Sequence, residues 1–213
     1  MKELSILIAD AHPMVLKGMK AEFSLRGFQH IYEAKNGLEA LQVIEQNQLD
    51  IAILDVDMPA ISGMEVAERL KESKTKTIIM THHKEDGFII QAKLLGVNAY
   101  LLKEDSFKEV EQALESLQSD TFYLSSSFQD NKLNELDETI QQLKNLSLAE
   151  REVLKHISEG FETSEVADML SVSKRTIHKH RSNIISKLNL DSHRNTLANY
   201  AQDNRQLIRE FFK

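Results

Sequence analysis

Five short apolar runs alternate with five amphipathic stretches along the first half of the chain, and few folds accept that order. Residues 4–9, 51–54, 77–80 and 99–102 read as buried strands, with a weaker one at 31–34. Residues 14–25, 38–46, 64–72, 88–95 and 107–117 instead space their apolar side chains by three and four, as helices do. Strands joined through helices pair in parallel, because a crossover returns each one to the sheet in the same direction. The expectation is a doubly wound, flavodoxin-like α/β domain of five parallel strands over residues 1–120, with its site in the loops at the carboxyl ends of the strands. Asp10, Asp55, Thr81 and Lys103 all fall at such ends.

Strand propensity stops after Leu117, and residues 121–146 form a polar, partly helical linker. Leu133, Leu136, Ile140 and Leu143 step by three, four and three. That is the seam spacing of a coiled coil, sustained for too few heptads to require one, and it fits equally an amphipathic helix packed on its own chain.

The remainder, residues 147–213, is expected to be a smaller all-helical domain. Ser147-Leu148-Ala149-Glu150 is a capping box, so a helix starts there; Gly160 ends it, residues 164–170 make a second helix, and Ser173 caps a third running to about Leu188. A fourth starts at Asp191 or Ser192. The second and third helices, separated by the short turn Ser171-Val172, make a helix-turn-helix. The third carries Lys174, Arg175, Lys179, Arg181 and Lys187, with no acid between Ser173 and Asn189. Ile177, Ile184 and Leu188 share its buried stripe, while Arg175, His178, Lys179 and Ser182 lie opposite, so one face packs and the other meets phosphate.

Charge separates the halves. Residues 1–120 hold 13 Lys and Arg against 20 Asp and Glu, a balance of −7; residues 146–213 hold 11 against 9, a balance of +2. A polyanion is repelled by the first and met by the second. The chain has no cysteine, which excludes disulfides, thiolate metal ligands and a cysteine nucleophile. Neither a signal peptide nor a membrane span is read in it, and a soluble cytoplasmic protein is the default expectation.

Moving a phosphoryl group onto a carboxylate needs an accessible acceptor, a divalent cation over the oxygens and donors for the developing charge. Asp55 supplies the acceptor, Asp10 a cation-binding carboxylate, Thr81 a hydroxyl and Lys103 a compact positive charge. His82 and His83 are adjacent and point opposite ways in an extended segment, so they do not chelate one ion. His12 is expected to pack or hydrogen-bond rather than to ligate.

These residues carry a resemblance. Ile6-Leu7-Ile8-Ala9-Asp10 with His12-Pro13, Leu54-Asp55-Val56-Asp57-Met58-Pro59 with Ser62-Gly63, Thr81, and Tyr100-Leu101-Leu102-Lys103 resemble the receiver domain of bacterial two-component response regulators. The resemblance implies that Asp55 is phosphorylated by a sensor histidine kinase, that Thr81 and Tyr100 form a switch pair, and that Lys103 grips the phosphate. It also implies a Mg²⁺ site made by Asp10, Asp55 and the backbone carbonyl of Asp57. The chain departs from the pattern at Ala11, where such receivers place a second acid. Loss of that oxygen ligand implies weakened Mg²⁺ binding and slow or absent phosphorylation by small donors.

Residues 147 to about 200 resemble the LuxR-type helix-turn-helix through Leu148-Ala149-Glu150-Arg151-Glu152-Val153-Leu154, Gly160, Glu165-Val166-Ala167, the run from Ser173 to His180, Asn183-Ile184 and Lys187-Leu188. Double-stranded DNA is then the implied partner. His178, Lys179 and Ser182 are implied to reach base edges, and Lys174, Arg175, Thr176, Arg181 and Lys187 to touch phosphates. The fourth helix, with its stripe Leu197, Tyr200 and Ala201, is implied to form the contact of a homodimer. The tail Leu207-Ile208 with Phe211-Phe212 is free to cover that contact, to pack on the receiver or to fill the core.

The expected protein is therefore a transcriptional regulator rather than an enzyme, switched by phosphate on Asp55 and reading DNA with the third C-terminal helix. A variant holds its receiver active without phosphate and uses it for dimerisation. A phosphohydrolase of the haloacid dehalogenase type shares the order Asp55-Val56-Asp57, Thr81 and Lys103, but has no reason to carry Met58-Pro59 or an attached helix-turn-helix.

Overall fold

A computed structural model describes residues 3–119, 121–191 and 196–212. The chain divides into two compact units, Met1–Asp130 and Asn131–Lys213.

The first unit runs β1 (Ser5–Ala9), α1 (Pro13–Leu25), β2 (His30–Ala34), α2 (Gly37–Gln46), β3 (Ile51–Leu54), α3 (Gly63–Leu70), β4 (Lys76–Thr81), α4 (Asp86–Leu94), β5 (Ala99–Leu102), α5 (Phe107–Ser116) and β6 (Tyr123–Leu124). The strands form one sheet in the order β2-β1-β3-β4-β5-β6, and every pair is parallel. Alternate residues serve opposite faces. Ile6, Ile8, Ile51, Ile53, Ile78, Met80, Ala99 and Leu101 pack against Leu16 and Phe23 of α1 and Val110, Ala113 and Leu114 of α5. Their strand neighbours Leu7, Ala52, Leu54, Ile79 and Tyr100 are as fully buried, so both faces are covered.

Register positions the site. Ala9 pairs with Leu54, and Thr81 with Leu102. The next residues, Asp10 beside Asp55 and Lys103 beside Thr81, are thereby brought together at one end of the sheet. The backbone fixes this: Asp55 N–H donates to Ala9 O at 2.9 Å and Lys103 N–H to Thr81 O at 2.8 Å. The start of α3 is pressed onto the same end. A Cβ on Gly63 would lie 2.0 Å from the carbonyl oxygen of Asp55, which no side chain can occupy without backbone movement. We expect Gly63→Ala to destabilise the first unit by about 2–3 kcal/mol through overpacking. Urea unfolding of the variant checks this, with no change in midpoint as the opposing result.

The sheet has one strand more than the five expected. Tyr123–Leu124 pairs with Ala99 and Tyr100 of β5, within the stretch expected to be linker. Glu109 of α5 holds it there: its carboxylate, 9% exposed as a residue, accepts from Tyr123 Oη at 2.8 Å, Ser126 N at 3.0 Å and Ser126 Oγ at 2.5 Å. Burial works to raise the Glu109 pKa, and the Ser126 and Tyr123 bonds overcome it, so the carboxyl sits below its ordinary range.

The second unit contains α6 (Lys132–Lys144), α7 (Leu148–Ser158), α8 (Thr163–Met169), α9 (Lys174–Lys187), α10 (Thr196–Asp203) and α11 (Arg205–Phe211). Leu136, Ile140 and Leu143 of α6 are buried within the single chain, in keeping with an amphipathic helix packed on its own chain. The capping box at Ser147 is formed, with Ser147 N–H donating to Glu150 at 2.8 Å, and Gly160 ends the segment at φ 96°. The expected start of the fourth helix at Asp191 or Ser192 borders residues 192–195, which lie outside those described. Leu207 and Ile208 of α11 are buried, α11 packs on α7, and Arg151 of α7 stacks 5.3 Å from the Phe212 ring, so the tail fills the helical core.

Candidate functional site

Two buried carboxylates share one ammonium at the carboxyl end of the sheet. Lys103 Nζ stands 2.7 Å from Asp10 Oδ2 and 2.7 Å from Asp55 Oδ2, with all three side chains 4% exposed or less. The contact to Asp55 is an ion pair rather than a directed hydrogen bond, and Asp55 Oδ1 has no hydrogen-bond partner among the described residues. Asp10 Oδ1 faces His12, whose backbone N–H donates to it at 2.7 Å and whose Nδ1 lies 3.0 Å away. With a neutral imidazole the pocket carries two negative charges and one positive, and it favours a further cation. Asp10, His12 and Asp55 form a cluster able to hold a metal ion, each presenting a ligand atom within 4.8 Å of the others.

Thr81 is fully buried at the end of β4, and its hydroxyl accepts from His83 N–H at 3.3 Å. Tyr100 is likewise buried and turned inward, with Oη donating to the His83 carbonyl at 3.0 Å. Burial pushes the Tyr100 hydroxyl pKa upward, helped by the charges of Glu85 and Asp57, so it remains a donor. The Asp57 side chain points away from the acids to His83 Nε2 at 2.9 Å, and the His83 ring stacks on Phe88 with centroids 4.0 Å apart. From sequence alone His83 shows only a candidate metal ligand, and its place two residues after Thr81 is the one signal of this joining role.

In the second unit, Ser173 Oγ accepts from Thr176 N–H at 3.1 Å and caps α9. Ile177, Ile184 and Leu188 are buried as their spacing predicts, and Lys174, Arg175, His178, Lys179 and Ser182 are exposed. Other members of the expected set are placed differently. The Thr176 hydroxyl lies 2.8 Å from Ser173 Oγ, within the cap. Arg181 is half-buried beside Lys174 and His178 in a cleft of about 360 Å³ that Phe161 and Gln202 also line, and burial lowers its pKa. Lys187 donates to Glu150 Oε2 at 2.6 Å and to Asn145 O at 3.1 Å, so its charge ties α9 to the start of α7. Leu197 and Ala201 face the core of their own unit, which removes most of the α10 stripe from any dimer contact.

The Glu150 and Lys187 pair has a measurable consequence. Burial works to raise the Glu150 pKa, but the Lys187 ammonium and the Ser147 donors prevail and hold it at about 2. A carboxyl depressed in the fold contributes stability above its unfolded pKa, near 4.5, and loses it as pH falls toward about 2. We expect Glu150→Gln to cost the second unit about 2 kcal/mol at neutral pH, from the weakened capping box and the lost charge-assisted bond. Thermal unfolding at neutral and strongly acidic pH should show the penalty shrinking with acid. A constant penalty counts against the pair.

Comparison with known proteins bears on both sites. The family model described as the response regulator receiver domain matches residues 6–115, and that of bacterial regulatory proteins, luxR family, matches residues 144–201. A putative transcriptional regulator of Pseudomonas aeruginosa is 30% identical over 190 residues, 88% of this chain and 92% of the relative. The response regulator UvrY of Escherichia coli is 28% identical over 193 residues, 88% of each. The structure of RcsB from Salmonella enterica serovar Typhimurium, bound to a promoter in the presence of phosphomimetic BeF3⁻, superposes with a TM-score of 0.65 at 23% identity, covering 94% of this chain and 99% of that one. At that identity the likeness speaks for the fold.

Proposed function

The chain belongs to the response regulators that join a receiver domain to a luxR-type DNA-binding domain, and on that premise we propose that Asp55 takes a phosphoryl group from a sensor histidine kinase and so governs how α9 engages double-stranded DNA. The observation that carries this reading is the buried Asp55 carboxylate, paired to Lys103 on one oxygen and unpartnered on the other. In the transfer the free oxygen attacks phosphorus, the bond to the donor imidazole breaks, and Lys103 neutralises the incoming phosphate. Asp10 and Asp55 suit a divalent cation, because Asp55 Oδ1 is buried without a bond and a carboxylate oxygen of each acid lies in the same cluster. When bound, that cation offsets charge on the phosphoryl oxygens. Ala11 contributes no oxygen, so Mg²⁺ is held weakly.

The switch follows from what surrounds Tyr100. A phosphate on Asp55 attracts the Thr81 hydroxyl, which holds the His83 N–H, and the His83 carbonyl holds Tyr100 Oη. Tyr100 in turn meets the segment that follows β6: Ser125 N–H donates to Tyr100 O at 3.0 Å, and the Phe128 ring lies edge-on, 6.3 Å from that of Tyr100. Rearrangement at Thr81 therefore reaches the segment leading into the linker, and phosphorylation shifts the population between two arrangements of it. On α9, Arg175, His178, Lys179 and Ser182 form the exposed face toward DNA, with Lys174 and Arg181 at its flank. The protein acts in the cytoplasm as a homodimer reading an inverted repeat with half-sites about one DNA turn apart. No helix among the described residues is long and apolar enough to cross a membrane.

Selection of bound duplexes from a random pool, with and without a phosphoryl donor, tests the reading. An enriched inverted repeat that depends on the donor supports it. An unenriched pool under both conditions refutes it.

A further inference from the structure

The acid pocket lacks the oxygen donor that a second carboxylate at position 11 would supply, and it holds an imidazole beside the gap. We propose that His12 ligates through Nδ1 in place of that donor, and that the pocket therefore selects a borderline first-row cation such as Co²⁺ or Zn²⁺ over Mg²⁺. The inference rests on the reading of Asp55 as an acceptor in a cation-assisted pocket, and it adds the cation class and a ligand.

Geometry comes first. The ligand atoms of Asp10, His12 and Asp55 all lie within 4.8 Å of one another. Donors about 2.1 Å from one ion stand about 3 Å apart side by side and at most about 4.2 Å apart across it, so closing the three onto one ion needs side-chain shifts of well under about 1 Å. The His12 ring is folded back over the pocket, with Nδ1 3.0 Å from Asp10 Oδ1, although the side chain stays 63% exposed. His12 stands at the N-cap of α1 but makes no side-chain cap bond, and Pro13 follows at the first helical position. The helix therefore does not need the imidazole. Asp55, 2% exposed, contributes a carboxylate oxygen to the same cluster.

Chemistry then sets the preference. Mg²⁺ is hard, demands a near-octahedral shell of oxygens and gains most from carboxylate charge. Ala11 removes one such charge, and His12 offers a neutral nitrogen, which later first-row cations bind better. The hydrogen-bonding role expected of His12 is present, and its partner is the Asp10 carboxylate.

The test uses the full chain with Co²⁺ and Mg²⁺ as separate probes, affinities from calorimetry, and proton NMR of the Co²⁺ form. We expect tighter binding of Co²⁺ than of Mg²⁺, and a hyperfine-shifted, solvent-exchangeable ring N–H that disappears in His12→Ala. Co²⁺ affinity should fall about tenfold or more in that variant, since even outer-shell partners of metal ligands matter that much. Mg²⁺ affinity should stay within about twofold, and Ala11→Asp should raise it. Co²⁺ binding that Asp55→Asn abolishes while His12→Ala leaves affinity and spectrum unchanged overturns the ligand assignment and spares the acid pocket. Binding of neither cation, or binding indifferent to Asp55→Asn, overturns both.

Discussion

Lys103→Ala should cost the first unit about 3 kcal/mol at neutral pH, the low end of what breaking a buried ion pair costs. The lysine is the only ammonium within ion-pair distance of Asp10 and Asp55 among the described residues, at 2.7 Å from each. Without it two buried carboxylates face each other unpaired, and one must take up a proton, bind a cation or draw in water. A divalent cation can take the place of the lost ammonium between the two acids, so the penalty in Lys103→Ala should shrink on adding one. Asp55→Asn has the opposite consequence, because it leaves one acid with one ammonium, and it should be neutral or stabilising. Hydrogen exchange of the Ile51–Leu54 and Lys76–Thr81 amides reads these effects within the first unit. A penalty that a divalent cation leaves unchanged would show that Lys103 acts only by packing.

The double variant Arg175→Ala and Lys179→Ala should lose about 10²-fold in DNA affinity, a factor of about ten for each lost contact to phosphate or base. Both side chains are exposed on α9 and neither has a partner among the described residues, so the fold should be untouched. The salt dependence separates their roles. Two phosphate contacts reduce the slope of log affinity against log salt by about two, whereas a base contact from Lys179 leaves a reduction of about one and relaxes sequence preference. Lys187→Ala serves as a contrast: that ammonium is bound to Glu150 and Asn145, and its loss should lower stability more than affinity. Unchanged binding in the double variant would remove α9 from the interface.

Features that depend on neighbours in the chain were legible, and features that depend on distant partners were not. Residues 51–54 and 99–102 are wholly buried and apolar, so they declared themselves as strands, and Asp55 and Lys103 as strand-end residues. The register that sets Ala9 against Leu54 follows from the parallel order of the strands, and it brings Asp10 to Asp55. The two residues of β6 carry no strand signal of their own; Glu109, fourteen residues earlier, holds Tyr123 through its hydroxyl. Lys187 reads as one more cation on a basic helix, but its partner Glu150 lies 37 residues away. In α10 the resemblance implies an interface at the stripe Leu197, Tyr200 and Ala201, whereas Leu197 and Ala201 are core. Amphipathic spacing states that a face is covered, not by what.

If Asp55 governs the second unit, its state sets the affinity of α9 for DNA. The most direct measurement titrates a selected duplex with full-length protein phosphorylated to known extents, determined by intact mass, beside Asp55→Asn treated in the same way. Affinity should change by about tenfold, a typical coupling between sites, in proportion to the modified fraction, and Asp55→Asn should neither gain mass nor change affinity. Equal affinity of the phosphorylated and unmodified chains would contradict that control.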